Sequence, residues 1–205
     1  MPLVIPSLKV DRRIHSHVLM AELACGRQGI MWHYDDSSDD RWSLKWFQDP
    51  ACKNGYTWIA MDDGELVELA DPAKRTPHAG VCSTKNANSV FYGLAAATNG
   101  KVPVTPSQLE TMLGTAVTIH RFHGWGPEQV DARNFGHDEQ AIWNQATTRE
   151  AQMSDEKGRP LWGKLGRKVD PTGQRTDKRK IIDMDAVRRE LAFRLGGPPP
   201  LEKAS

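Results

Sequence analysis

The sequence predicts a single mixed α/β domain. Three observations carry this. A length of 205 residues supplies one sizeable core but would leave two cramped. Hydrophobic and charged fractions of 39% and 26% are those of an ordinary globular chain. Strand-like apolar runs and helix-like stripes then alternate along the chain, as mixed architectures require.

Residues 1–27 read as a lead-in segment, with a short helix predicted from Ser16 to Cys25. GIMWHY at 29–34 is a compact apolar run that suits a buried strand opening at its end. DDSSDD at 35–40 breaks the chain as a loop or helix cap. It lacks the closing Glu of a calcium loop, so a solvated loop is expected there. Gly55 to Leu69 reads as a hairpin: TWIAM, a DDG turn, and the alternating ELVEL. SVFYGLAAA, Ser89 to Ala97, is a second buried strand. Pro106 to Phe122 is the clearest helix, with Thr105 at the N-cap and Pro106 at the first helical position. Its stripe is Leu109, Met112, Leu113, Ala116, Val117 and Ile119, and Gly124 and Gly126 end it. NFGH at 134–137 leads into a polar, irregular stretch at 138–163. Asp185 to Leu195 forms a terminal helix with Val187, Leu191 and Leu195 on one face, and 196–205 is a Pro-rich linker or tail.

The formal net charge of +1 gives no general drive toward nucleic acid or a membrane surface. No apolar run approaches the ~20 residues that span a bilayer. The N-terminus places its apolar patch before its charges, the reverse of a secretory signal, so synthesis in the cytoplasm is expected. Cys25, Cys52 and Cys82 are too widely spaced for a metal knuckle. Free thiols are the simpler reading, and a Cys52–Cys82 disulfide is the alternative.

Of seven histidines, His33 and His137 stand at strand-like ends beside chain breaks, where a side chain can enter a cleft from a rigid backbone. His120 and His123 are explained by favourable placement at a helix C-terminus, and His15 and His17 by surface or local packing. The tryptophans are mostly core, with one or two available to stack on sugar or peptide. In GRKVDPTG, Pro171 holds Asp170 extended, and Lys168 and Asp170 project to the same side. Two imidazoles and one carboxylate make a three-donor set for zinc, with the fourth position left to water.

Seven pieces, in order over about residues 28–195, resemble the zinc amidase family that includes phage lysozyme-amidases, cell-wall recycling amidases and peptidoglycan recognition proteins. These are IMWHYDD, NGYTWIAMDDGELVEL, PHAG, NANSVFYGLA, TPSQLETMLGTAVTIHRFHGW, NFGHDEQA and GRKVDPTG. The resemblance implies a central mixed sheet of five or six strands flanked by helices. It implies zinc held by His33, His137 and Asp170, with Lys168 beside the scissile carbonyl. Tyr56 matches the tyrosine that several members place over the reacting water, and His78 and Asn88 would lie near the substrate groove. It implies hydrolysis of the amide between N-acetylmuramic acid and L-alanine in bacterial peptidoglycan.

The sequence departs from the family in three places. The strand position where some members carry an acidic base is about Gly93. Phage-type members often have Cys where Asp170 stands. Residues 138–163 make an insertion between the second and third ligands. The setting implied is a monomeric phage or prophage endolysin that reaches the cell wall by another route, followed in some chains by a wall-binding module. The alternatives are a cytoplasmic muropeptide-recycling amidase and a peptidoglycan-binding module that does not cut.

Overall fold

The computed structural model describes residues 5–23, 26–37, 39–79, 81–82, 85–99, 101–137 and 181–198. The expected insertion 138–163, Lys168 and Asp170 lie outside these residues. Strands β1 (Arg12–Arg13), β3 (Gly29–Tyr34), β4 (Trp58–Ala60), β5 (Leu66–Glu68), β9 (Phe91–Ala96) and β10 (Asn134–Gly136) form one sheet, ordered β1-β5-β4-β9-β3-β10. The β4–β5 hairpin is antiparallel, and β1–β5, β4–β9, β9–β3 and β3–β10 are parallel, so the sheet is mixed. Short strands β2 (Ala21–Glu22) and β6 (Lys74–Arg75) pair separately, as do β7 (Val81–Cys82) and β8 (Lys85–Asn86). Among the described residues no helix is long and apolar enough to cross a membrane.

Central parallel strands are covered on both faces and read as continuous apolar runs. The runs GIMWHY and FYGLAA do so because each face has its own cover. On one face Ile30, Trp32, Trp58, Tyr92, Leu94 and Ala96 pack against α3 (Pro106–His123) and α5 (Met184–Arg194). On the other, Ile59, Val67 and Ala95 pack against Phe47 of α1 (Asp40–Phe47), while Met31 and Phe91 pack against α2 (Ala87–Val90). A 3₁₀ turn at Pro127–Gln129 and α4 (Val130–Arg133) lead into β10.

The predicted α3 forms with a full capping box. Thr105 Oγ1 accepts from Gln108 N–H at 3.0 Å, and Gln108 Oε1 accepts from Thr105 N–H at 2.9 Å. Gly124 ends the helix in the left-handed region, φ 66°, where a Cβ would be strained.

Two expectations are corrected, and two open readings are decided. The helix over Ser16–Cys25 is absent from its described residues: His17 N–H donates to Phe47 O (2.9 Å), Leu19 N–H to Lys53 O (3.1 Å), and Ala21–Glu22 pairs with Lys74–Arg75. Partners elsewhere in the chain satisfy the backbone, and the segment stays extended. Of the loop and helix-cap readings of the acidic cluster, its end takes the cap. Asp39 caps α1, accepting from Arg41 N–H at 2.7 Å, and Asp35 accepts from Ser37 N–H (3.1 Å) and Thr98 N–H (2.9 Å), tying the ends of β3 and β9 together. Cys52 is a buried free thiol that donates to Asn54 O, which is the simpler of the two readings and leaves out the Cys52–Cys82 disulfide. His120 is not a dipole-compensating surface cation. It is fully buried and neutral, its pKa pushed down to about 4 by desolvation, and it bonds Trp125 O (3.3 Å) and the Asn134 amide (2.9 Å).

Candidate active site

The register of β3 and β10 builds the centre of the site. The strands are parallel, with Phe135 opposite Met31 and Gly136 opposite Trp32. Alternate residues share a face, so His33 follows Met31, and His137 follows Phe135, on the side away from α3. One step beyond the last pair the two imidazoles stand side by side, ring centroids 5.1 Å apart and nearly perpendicular. His33 is fully buried and His137 nearly so.

The tautomers follow from the partners. A carbonyl oxygen only accepts, so His137 Nε2, 3.2 Å from Ala79 O, carries the proton and its Nδ1 carries the lone pair. His78 Nε2 likewise donates to Phe91 O at 3.2 Å, which leaves His78 Nδ1 as an acceptor. His33 Nε2 lies 3.0 Å from that Nδ1 and donates to it, so the lone pair of His33 is on Nδ1. Burial holds the His78 imidazole well below its ordinary titration range, and the neighbouring His33, Arg27 and His137 push the same way.

These donors fit a zinc ion. Neutral imidazole lone pairs are borderline-soft ligands, and both rings arise from rigid strand ends. Both nitrogens of His78 are engaged inside the protein, so it does not complete the set. Among the described residues no group of three or more His, Cys, Asp or Glu is arranged to hold a metal ion. A full set therefore needs a donor from beyond them.

Tyr56 borders the pair on the third side. Its ring centroid is 4.9 Å from that of His33, Phe47 packs on it edge-on at 6.0 Å, and its hydroxyl donates to Tyr34 O at 3.1 Å. Asn88 Oδ1 accepts from His78 N–H (3.0 Å) and Ala79 N–H (2.7 Å), fixing the turn that presents both residues. The same Asn88 lines a groove of about 310 Å³ with Leu19, Met20, Arg75, Thr76 and Pro77. The structure thus brings together His33, His137, Tyr56 and His78, with Asn88 directly behind them.

One residue of this centre, Arg27, carried no signal in the sequence reading. The buried Arg27 guanidinium donates to Phe91 O (2.6 Å) and Asn88 O (3.2 Å) and also bonds Lys74 O, binding α2, β9 and β6 to the loop before β3. Gly93 is the seat of the His78 ring: a Cβ there would lie 2.9 Å from His78 Cγ. The strand position that the family resemblance marks for an acidic base in some members is covered here by an imidazole.

The protein is a mixed α/β domain whose central sheet brings two histidines together at the ends of adjacent parallel strands. The family of N-acetylmuramoyl-L-alanine amidases matches residues 26–158, and the chain belongs to that family of peptidoglycan amidases. The fold is similar to that of a selenomethionine derivative of AmpD, with TM-score 0.56 and 17% identity over 68% of this chain and 87% of that one. It is also similar to the endolysin amidase LysCS of Clostridium intestinale, with TM-score 0.52 and 10% identity over 94% and 100%. Staphylococcus aureus AmiA, solved with its ligand, gives TM-score 0.51 and 14% identity over 66% and 70%. At such identities the likeness is one of fold. A search of curated proteins gives no match.

Proposed function

We propose that the protein is a zinc-dependent hydrolase of the amide between N-acetylmuramic acid and L-alanine, acting on the bacterial cell wall as a phage or prophage endolysin. The observation that carries the reading is the pairing of His33 and His137, each with Nε2 held by an internal partner and its lone pair on Nδ1. Asp170 supplies the third donor, as the family resemblance implies. The chemistry a zinc ion supplies when bound is Lewis acidity, which polarises a carbonyl and makes water acidic near neutral pH.

The chain's own residues do the rest. Tyr56, its hydroxyl proton committed to Tyr34 O, keeps oxygen lone pairs that accept from water and orient it. Lys168 donates to the oxyanion that develops on the amide carbonyl, a contribution of about 3 kcal/mol for one such donor. The groove beside Asn88 receives the substrate flanking the bond.

The test is metal analysis of the purified protein together with release of stem peptide from intact sacculi, with and without a chelator. Bound zinc, chelator-sensitive release, and loss of both in Asp170→Ala are expected. A fully active Asp170→Ala protein removes the zinc reading. Activity on soluble muropeptides but not on sacculi removes the endolysin role and leaves a recycling amidase.

A further inference from the structure

We propose that His78 is a positioning residue: it fixes the ring proton of His33 on Nε2 and so makes Nδ1 the donor atom of His33. This rests on the zinc reading above. Four groups form one directed chain across the sheet face. Phe91 O accepts from Arg27 at 2.6 Å and from His78 Nε2–H at 3.2 Å, and His78 Nδ1 accepts from His33 Nε2–H at 3.0 Å.

The direction of the chain is set at its Phe91 end. Were His78 to carry its proton on Nδ1, its Nε2 lone pair would face the carbonyl lone pairs of Phe91, and His33 would lose its acceptor. Doubly protonated His78 would place a second cation beside the buried Arg27 guanidinium. The remaining arrangement puts the proton of His33 on Nε2. A ring so held loses less freedom on binding a metal and is a more basic ligand.

The His78 ring is seated against the backbone of β9. Gly93 lies beneath it on β9, with Met31 of β3 paired to Gly93 in register. Asn88 Oδ1 clamps the His78 backbone N–H from behind. The absent side chain at 93 is thus what admits the ring that orients His33.

The experiment compares the full chain with His78→Phe and His78→Asn. The phenyl ring keeps the shape and removes the acceptor, whereas the Asn Oδ1 takes the place of Nδ1 and restores it. Zinc affinity by chelator competition should fall about 10–100-fold in His78→Phe and stay near the wild-type value in His78→Asn. Nitrogen-15 spectra of the zinc-free full chain should show His33 as the Nε2–H tautomer in the wild type and in His78→Asn, and as a mixture in His78→Phe. Unchanged affinity in His78→Phe overturns the proposal, as does affinity in His78→Asn as weak as in His78→Phe. A wild-type His33 protonated on Nδ1 overturns it even if His78→Phe does not fold. A wild type that binds no zinc but holds the Nε2–H tautomer removes the zinc reading and leaves the proton chain standing.

Discussion

Replacing Asn134 by alanine should cost far more stability than a single polar side chain ordinarily does. Asn134 is fully buried on the α3 side of β10, and its amide joins three elements. Oδ1 accepts from Trp32 Nε1–H at 3.1 Å, and this fixes the amide's orientation, because an indole N–H only donates. Nδ2 then donates to His120 Nε2 (2.9 Å) and Val130 O (3.1 Å), and His120 Nδ1–H donates to Trp125 O. The alanine strands two fully buried groups, Trp32 Nε1–H and His120 Nε2. Each unsatisfied group costs about 1–3 kcal/mol, and with the lost bond to Val130 the total is about 3–5 kcal/mol.

Urea unfolding of the zinc-free protein at pH 7.5 measures this loss, and Trp32→Phe in the alanine background should recover part of it by removing one stranded donor. The pH dependence supplies a further check. His120 has its pKa lowered from 6.5 to about 4 by burial, so its contribution to stability is complete above 6.5 and is lost as pH falls toward 4. Protonated His120 would turn a second N–H toward the Asn134 amide donor, so the penalty of the alanine should shrink over that window. A loss under about 1 kcal/mol, or no coupling to Trp32→Phe, would refute the network.

Asp35 is partly buried at the junction of β3 and β9, and desolvation raises its pKa from 3.8 to about 6 against the bonds from Ser43, Ser37 and Thr98. The folded-state value lies above the unfolded one, so ionised Asp35 costs stability above pH 6 and the cost vanishes as pH falls toward 3.8. Asp35→Asn should therefore be more stable than wild type at pH 8, by on the order of 1–3 kcal/mol, and equal to it near pH 4 in urea melts. Gly93→Ala drives a methyl group to 2.9 Å from His78 Cγ, and should weaken zinc binding and lower stability by about 1–3 kcal/mol, read by chelator competition and thermal melting. Tyr56→Phe keeps the ring against His33 and should leave zinc affinity unchanged while kcat on peptidoglycan falls about 10²–10⁴-fold. An unchanged kcat would take Tyr56 out of the chemistry.

What the sequence disclosed depended on how local the cause was. The strands over 29–34 and 91–96 were legible because burial on both faces writes itself as an unbroken apolar run. α3 was legible because Thr105, Pro106 and Gln108 carry their start signal within four residues. α1 was not, because Trp42 and Trp46 are 57% and 52% exposed, so its apolar residues do not mark a buried stripe. The extended backbone of 16–23 answers to partners at Phe47, Lys53 and Lys74, which no window around it contains.

The same distinction divides the site. His33 and His137 were visible as histidines ending apolar segments, since a strand end is a local feature. What makes them a pair is not local: it is the parallel register that sets Phe135 against Met31, across more than a hundred residues of chain. Asn134 guards that register from the opposite face by locking β10 to Trp32 of β3 and His120 of α3. A strand slipped by one residue would turn His137 to the α3 side and Asn134 away from Trp32 together. The buried amide network and the paired imidazoles are thus two faces of one registration. The polar groups beneath the sheet hold the register that positions the imidazoles above it.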